Sequence, residues 1–302
     1  MFKQKDERRL EMDLSNFVLN NGLKIPSIGF GTWELPEGEK TACAVKNAIS
    51  VGYKHIDTAA AYENERSIAE GIRQSGARRE DVFVTSKVWL TSMGYEKTLL
   101  SFKETLSELD TDYLDLLLIH VPAVESMVEQ WQRLNLSTWK AMEHLYKEGY
   151  VKAIGVSNFR THHMTPLLEE AEITPMVNQL EFHPGMMQSE AVNLCKEHNI
   201  LVEAWSPLGN GKLLQAEQLV RMAEKYNKTT AQLCIRWCLQ HGVLPLPKSL
   251  SPAHLADNRT VFDFEISDED MKTIDLLPPI GGVFWNMDEP RKLFYLAREL
   301  HL

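Results

Sequence analysis

The chain alternates eight short apolar runs with longer segments in which apolar residues recur at helical spacing. The runs are mostly continuous rather than alternately apolar and polar, which is typical of parallel strands covered by helices on both faces. Eight strands alternating with helices predict an α/β fold, either a closed (β/α)8 TIM barrel or a doubly wound sheet. The predicted strands are Ile28–Trp33, Tyr53–Ala59, Val82–Val88, Leu114–His120, Val151–Ser157, Val177–Phe182, Ile200–Trp205 and Val243–Lys248.

Helix signals mark the segments between the runs. Residues Glu63–Arg73 are amphipathic, and Leu99–Leu109 carries apolar residues three and four positions apart. Residues Ser137–Gly149 begin with a residue type that caps helices and end at a glycine, which stops them. All three segments are therefore predicted as helices.

The N-terminal residues precede this alternation. Residues Phe17–Ile25 predict a β-hairpin, since Asn21-Gly22 supplies the positive φ angles that a tight turn needs. Residues 1–14 are interpreted as a charged tail. Because no linker or low-complexity segment interrupts the pattern, residues 1–302 are predicted to form a single barrel domain.

Polar residues at the ends of the apolar runs favour the barrel over the open sheet. In a (β/α)8 barrel the carboxyl ends of all strands converge on one rim, where active sites lie. The first run contains Gly29-Phe30-Gly31 followed by Thr32, without the Gly-x-Gly-x-x-Gly pattern of a dinucleotide-binding sheet. The polar residues at run ends are Asp57, Lys87, His120, Ser157, Asn158, Glu181, Ser206, Lys248 and Ser249.

The charge and hydropathy of the sequence exclude some classes of binding partner. A formal net charge of -10 argues against nucleic acid or an anionic membrane as the main partner. No apolar run reaches the roughly 20 residues of a membrane-spanning helix, and the charged N-terminus lacks the apolar core of a signal peptide. We therefore expect a cytoplasmic protein, monomeric or weakly oligomeric. Cys234 and Cys238 are interpreted as core residues rather than zinc ligands, since no second ligand pair has matching spacing, and no metal is expected.

Asp57, Tyr62, Lys87 and His120 lie at or just beyond the ends of early strands. Reduction of a carbonyl needs a proton donor for the developing alkoxide, and a tyrosine with an ordinary pKa of about 10 is a weak acid. We expect Lys87 to lower the pKa of Tyr62, and Asp57 to hold Lys87 protonated. His120 can donate a hydrogen bond that orients the carbonyl oxygen.

Seven segments, in order along the chain, resemble those of the aldo-keto reductases. The resemblance runs from about Phe17 to Phe264, and it implies a (β/α)8 fold, NADP(H) bound without a Rossmann domain, and reduction of aldehydes or ketones to alcohols. It also implies the roles given above, with Tyr62 as general acid. The segments are Gly31–Trp33, His55–Glu65, Thr85–Trp89, Ile154–Phe159, Val177–Gln179, Ser206–Gly209 and Pro247–Ser249.

The resemblance further implies which residues hold the coenzyme. Ser157, Asn158 and Gln179 match residues that bind the carboxamide, and Trp205 stands where an aromatic residue stacks on the nicotinamide. The other predicted coenzyme residues are Thr32 and Trp33, then Ser206, Leu208 and Gly209 at the pyrophosphate, Lys248 and Ser249 at the 2′-phosphate, His254 beside them, and Asn258 near the adenine.

Two departures from the family pattern concern the coenzyme. His254 stands where the family usually has an arginine against the 2′-phosphate, and a neutral imidazole cannot replace a guanidinium, so NAD(H) stays open as a second coenzyme. The stretch Gly209–Leu213 is short and leads straight into a helix, where many animal members carry a long loop over the pyrophosphate.

The substrate pocket is predicted from Trp33 and Trp89, which match pocket aromatics of the family, together with His120. An apolar pocket suits small carbonyl or alcohol substrates. The segment Gly281–Met287 has no distinctive match, and its role is left open.

Single features of the sequence are compatible with two other functions. A nicotinamide-binding sensor or partner subunit would keep the barrel and bind NADPH without turning it over. A metal-dependent hydrolase would need a ligand pair such as His162-His163, but adjacent helix residues point about 100° apart, and the His-x-His spacing after the first strand is missing. Steady turnover of NADPH with simple aldehydes separates a reductase from both.

Overall fold

The structure, a computed structural model, describes residues 15–126, 128–283 and 288. Within them, eight parallel strands form one sheet in sequence order, and each lies inside its predicted run. A hairpin of two further strands precedes the sheet. In chain order the strands are β1 (Asn16–Val18), β2 (Lys24–Pro26), β3 (Phe30–Gly31), β4 (His55–Asp57), β5 (Phe83–Val88), β6 (Leu116–Ile119), β7 (Ile154–Ser157), β8 (Val177–Glu181), β9 (Leu201–Trp205) and β10 (Leu244–Pro245).

Backbone hydrogen bonds join the first and last strands of the sheet and close it. The Gly29 amide donates to Pro245 O at 3.1 Å, and the Gly31 amide donates to Pro247 O at 3.2 Å. A Cβ atom at Gly31 would lie 2.9 Å from Leu246 O, so glycine is required where the two backbones meet. The predicted (β/α)8 barrel is confirmed.

Helices follow the barrel strands and cover the outside of the sheet. The helices in the described part of the chain are α1 (Glu39–Ser50), α2 (Glu65–Ser75), α3 (Tyr95–Glu108), α4 (Trp131–Lys147), α5 (Thr161–Glu170), α6 (Ser189–Glu197), α7 (Glu217–Lys225), α8 (Thr230–Gln240), α9 (Pro252–Arg259) and α10 (Asp268–Asp275).

The prediction that a helix begins at Ser137 is wrong. Helix α4 begins six residues earlier, at Trp131, and Ser137 lies inside it. The Ser137 hydroxyl instead accepts a hydrogen bond from the Tyr95 amide, at 3.0 Å, and so satisfies the start of the neighbouring helix α3. The predicted stop is correct, since Gly149 takes a left-handed φ of 82° just after α4 ends.

The N-terminal hairpin is confirmed, but its turn differs from the prediction. Strands β1 and β2 pair antiparallel, with Phe17 opposite Ile25, and only Gly22 of the predicted Asn21-Gly22 turn has a positive φ. The side chain of Asn21 instead anchors the turn by donating to Lys152 O at 3.0 Å. Because Lys152 precedes β7, the hairpin lies at the amino end of the barrel strands, away from the predicted active-site rim.

The cysteines also bear out the prediction. Cys234 and Cys238 are fully buried on α8 within the hydrophobic core, and neither forms a disulfide with a described residue. In the described part of the chain, no helix has the length and apolar character needed to cross a membrane. The charged segment 1–14 and residues 284–287 of the predicted C-terminal loop lie outside the described residues.

Candidate active site

Four strand-end residues converge at the carboxyl rim of the barrel. Asp57 ends β4, Lys87 lies near the end of β5, and Tyr62 closes a 3-10 turn, Ala60–Tyr62, that follows β4. The Lys87 ammonium donates to Asp57 Oδ1 at 2.8 Å and to the Tyr62 hydroxyl at 3.4 Å. His120 follows β6, and its ring lies 5.5 Å from the Tyr62 ring in an edge-on arrangement. The predicted tetrad is therefore brought together.

Burial is the largest influence on the pKa values of Lys87 and Tyr62, and the sequence does not reveal its size. It disfavours the Lys87 ammonium, but the charge of Asp57, together with the hydrogen bonds to Asp57 and Tyr62, outweighs that effect and raises the Lys87 pKa. For Tyr62, burial raises the pKa, and Lys87 offsets this rise only in part. Lys87 lowers the Tyr62 pKa as expected, but burial outweighs this effect and the net pKa is raised. Tyr62 stays protonated through the neutral range, and Lys87 stabilises the phenolate when it forms.

His120 is a neutral imidazole. Burial and the nearby Lys87 ammonium hold its pKa well below the ordinary value. Its ring packs edge-on against Trp89, with centroids 4.9 Å apart. A neutral imidazole has one N–H to donate, which is what the predicted orienting role requires.

A cavity of about 520 Å³ opens directly above these groups. The same cavity also borders the ends of β7, β8, β9 and β10. The predicted residues that line it are Trp33, Asp57, Tyr62, Trp89, His120, Ser157, Asn158, Gln179, Trp205, Ser206, Leu208 and Lys248. Residues predicted for catalysis and for the coenzyme therefore face one common space, with Lys87 behind Asp57 and Tyr62.

Asn158 makes the hydrogen bonds that hold together the cavity wall nearest His120. It adopts a left-handed φ of 64°, and its amide nitrogen donates to His120 O and to Ser157 Oγ, each at 3.0 Å. Its Oδ1 accepts the indole N–H of Trp205 at 3.0 Å, which fixes the plane of that ring. The strand end and the aromatic residue are thus held as one unit.

Gln179 connects this wall to the tetrad. Its amide nitrogen donates to Asp57 Oδ2 and to Glu203 Oε2, each at 2.8 Å. Both amide hydrogens are used in this way, so the oxygen is the atom of Gln179 left for a ligand. That oxygen, with Asn158 Oδ1 and Ser157 Oγ, supplies acceptors suited to the NH₂ group of a carboxamide.

The turn after β9 is tight and bonded within itself. Ser206, Gly209, Asn210 and Gly211 all have positive φ angles, between 50° and 82°, and the Ser206 hydroxyl donates to Asn210 Oδ1. The amides of Gly209 and Gly211 donate to Ser206 O and Leu208 O, at 2.9 and 3.0 Å. A short helical turn and α7 follow at once, as predicted for the stretch after Gly209.

Lys248 marks the far end of the cavity, and it is paired with a residue that the sequence analysis missed. Its ammonium donates to Trp33 O at 2.8 Å and to Glu34 Oε2 at 3.1 Å. Glu34 lines the cavity and has a positive φ of 63°. Its place directly after the Gly31-Thr32-Trp33 segment was the available signal.

Two predicted coenzyme residues are buried near the cavity without lining it. The Thr32 hydroxyl donates to the backbone oxygen of Asp57 at 2.9 Å, so Thr32 supports the catalytic strand end. Gly209 is buried at the turn after β9, where its amide donates to Ser206 O. The hydrogen bond to Asp57 accounts for the position of the Thr32 side chain. The backbone of either residue can still contact a coenzyme.

Three further predicted residues lie on or just before α9. Ser249 accepts a hydrogen bond from the Ser251 amide at 3.1 Å, and Asn258 is buried on the helix. The side chain of His254 is exposed and does not line the cavity; its backbone amide is capped by Ser251 Oγ. The structure therefore brings these residues to the Lys248 end of the cavity but not into its wall.

The described part of the C-terminal loop packs against the turn after β9. The Gly282 amide donates to Gly209 O at 3.2 Å, and the Val283 amide donates to Glu181 Oε1 at 2.6 Å. Gly282 has a positive φ of 94°, a conformation that favours glycine at this contact.

The histidine pair considered for a hydrolase does not diverge as expected. His162 Nε2 and His163 Nε2 lie 2.9 and 3.1 Å from the same atom, Asp288 Oδ1, because side-chain rotation brings the rings within 3.9 Å. His163 Nδ1 accepts the Arg160 amide, so its Nε2 carries the proton rather than a free lone pair. None of these residues lines the central cavity.

Comparison with known proteins agrees with this geometry. The chain is 48% identical over 271 residues to a glyoxal reductase of Bacillus subtilis, covering 90% of this chain and 95% of that protein. It is 46% identical to a 9,11-endoperoxide prostaglandin H2 reductase of Trypanosoma cruzi, covering 88% and 93%.

A solved structure and a family model extend the comparison. A variant of Gox0644 in complex with NADPH superposes with a TM-score of 0.83 at 37% identity, covering 90% of this chain and 97% of that chain. The model of the Aldo/keto reductase family matches residues 27–277. The chain therefore belongs to the aldo/keto reductase family, whose members are oxidoreductases with nicotinamide coenzymes.

Proposed function

We propose that this protein is an NADP(H)-dependent reductase of small aldehydes and ketones, an alcohol dehydrogenase in the reverse direction, with Tyr62 as general acid. The observation that carries the proposal is the Asp57–Lys87–Tyr62 chain, in which Asp57 and Lys87 are buried and the half-buried Tyr62 faces the cavity, since it places a protonated phenol beside a fixed ammonium. Such a pair can give a proton to an oxygen and hold the resulting phenolate.

The cavity residues fit a bound nicotinamide coenzyme. Ser157, Asn158 and Gln179 would hold the carboxamide, Trp205 would pack on the ring, and Trp33 would border it. The remaining coenzyme residues of the proposal are Thr32, Ser206, Leu208 and Gly209 along the pyrophosphate, and Lys248, Ser249, His254 and Asn258 around the adenosine 2′-phosphate. When bound, the coenzyme supplies the hydride.

The chain's own residues supply the rest of the reaction. His120 donates its N–H to the carbonyl oxygen and orients it toward Tyr62. Tyr62 then gives its proton to that oxygen as negative charge develops, while Lys87, held by Asp57, stabilises the phenolate. Trp33 and Trp89 form apolar walls that exclude water from the reacting atoms.

Small carbonyl compounds fit the dimensions and polarity of the site. Beside His120 and Tyr62, the cavity is lined by the apolar residues Ala61, Leu214, Trp33 and Trp89. The similarity to a glyoxal reductase supports α-oxoaldehydes as the first class to test. NAD(H) is proposed as a weaker alternative coenzyme.

The test is a panel of aldehydes, ketones and α-oxoaldehydes assayed with NADPH and with NADH, alongside direct coenzyme binding by nicotinamide fluorescence. We expect steady turnover with at least the aldehydes, and higher kcat/KM with NADPH. Tight NADPH binding without turnover of any carbonyl would contradict the proposal and indicate a binding protein instead.

A further inference from the structure

Glu203 is a buried carboxyl group joined to the catalytic residues, and no role has been assigned to it above. It lies on β9 with no solvent exposure, and its Oε2 accepts the Gln179 amide at 2.8 Å. The same amide nitrogen donates to Asp57 Oδ2 at 2.8 Å. One side-chain amide therefore bridges two carboxyl groups inside the barrel.

The charges around this bridge are unequal. Lys87 donates to Asp57 at 2.8 Å and compensates that carboxylate, whereas Glu203 Oε1 has no hydrogen-bond partner among the described residues. An ionised, unpartnered oxygen in a buried site is far costlier than a neutral one that lacks a single hydrogen bond. The arrangement therefore favours an ionised Asp57 beside a protonated Glu203. Burial, together with the Asp57 charge, raises the pKa of Glu203 to about 8.

We propose that Glu203 is a positioning residue that acts on the catalytic pair through Gln179, and that its protonated form is the active one. The inference rests on the carbonyl reduction proposed above. The charged groups that face Glu203 are Asp57 from β4 and Lys87 from β5. Its register partners on the adjacent strands, Gln179 and Leu244, are uncharged.

Ionisation of Glu203 would place a second negative charge near Asp57. That charge favours the Lys87 ammonium but opposes the Tyr62 phenolate, which must form as Tyr62 gives up its proton. Proton donation therefore becomes harder when Glu203 loses its proton. A change of one pKa unit in Tyr62, with the proton about half transferred, corresponds to about a threefold change in rate.

The first test compares pH profiles of kcat from pH 6 to 10 for the wild type, Glu203→Gln and a control, Glu143→Gln. A glutamine at 203 keeps an oxygen for Gln179 and stays neutral at every pH. Glu143 is also a buried carboxyl, but it accepts the Ile173 amide, away from the cavity. We expect the wild type and the control to lose about threefold in kcat near pH 8, and Glu203→Gln to lack this step. The same step in all three proteins would overturn the inference.

A second readout is independent of turnover. The infrared difference spectrum of wild type minus Glu203→Gln should contain the carbonyl band of a protonated carboxylic acid at pH 6, and that band should vanish as the pH passes about 8. Its absence at pH 6 would overturn the inference whatever the activity. Its presence in a protein that reduces no carbonyl would overturn the proposed function, and with it the positioning role.

Discussion

Gln179 donates its side-chain amide to Asp57 at 2.8 Å, so a residue predicted for the coenzyme is bonded directly to the catalytic pair. Its two amide hydrogens serve the carboxyl groups of Asp57 and Glu203, which leaves its oxygen for a carboxamide. The proposed coenzyme site and the proposed proton donor therefore share one side chain.

This sharing predicts a double effect of Gln179→Met, which keeps the length of the side chain but removes both donors and the acceptor. We expect weaker NADPH binding and, at saturating NADPH, a kcat lower by about tenfold, since a hydrogen bond to a charged group is typically worth about 1.5–3 kcal/mol. Coenzyme titration and saturated kcat measure the two effects separately. A loss confined to binding would show that the bond to Asp57 has no catalytic role.

For the buried pair Asp57–Lys87, we expect that removing one partner lowers the free energy of unfolding more than removing both. Lys87→Met leaves a buried, uncompensated carboxylate and should lower the free energy of unfolding by about 3–5 kcal/mol. The double variant Asp57→Asn with Lys87→Met removes both charges, so it should recover much of this stability while remaining inactive. Denaturant unfolding measures the comparison. If the double variant is as unstable as the single one, the pair is not held together by charge compensation.

Coenzyme preference should respond to Glu34. Its carboxylate pairs with Lys248 and competes with a 2′-phosphate for that ammonium. The side chains are 56% and 36% exposed, so the pair is worth at most about 1 kcal/mol. Glu34→Gln should therefore raise the NADPH-to-NADH ratio of kcat/KM by up to about fivefold, and Lys248→Met should lower it. An unchanged ratio in both variants would show that Glu34 and Lys248 do not help the protein to discriminate between NADPH and NADH.

The ionisation of Glu203 should make the free energy of unfolding depend on pH in a predictable direction. The folded-state pKa of about 8 lies above the ordinary value of 4.5, so the folded protein binds more protons than the unfolded chain between these values. Stability contributed by this group is therefore lost as the pH rises from about 4.5 to about 8. Glu203→Gln removes this loss, and its Tm relative to the wild type should increase across that window. A constant Tm difference would contradict a protonated Glu203. Glu65, whose pKa burial raises to about 7, is present in both proteins and cancels.

The barrel and the tetrad could be predicted because their signals are local. Continuous apolar runs identify parallel strands buried on both faces, and a polar residue that follows such a run, as Asp57 and His120 do, lies at the carboxyl rim of a barrel. The helix start at Ser137 failed because its hydroxyl serves another helix: a capping residue type shows that a helix start is near, but not which one.

Other features of the site depend on distances that the sequence does not contain. Glu203 is a single polar residue inside an apolar strand, and only the closed barrel brings it to Gln179. Glu34 resembles any other charged loop residue in the sequence, and only the structure shows that Lys248, just after the last strand, reaches it. The net rise in the Tyr62 pKa follows from burial, whereas the sequence showed only that an ammonium was near.

The central claim is that Tyr62 donates the proton, and the most direct measurement is single-turnover reduction of an aldehyde by NADPH-saturated wild type and Tyr62→Phe. The phenylalanine keeps the ring and removes only the hydroxyl that Lys87 contacts at 3.4 Å. Because general acid catalysis is typically worth about 10²–10⁴-fold, the account predicts a rate lower by at least about 100-fold with NADPH binding unchanged. Single-turnover rates within a fewfold of the wild type would contradict it.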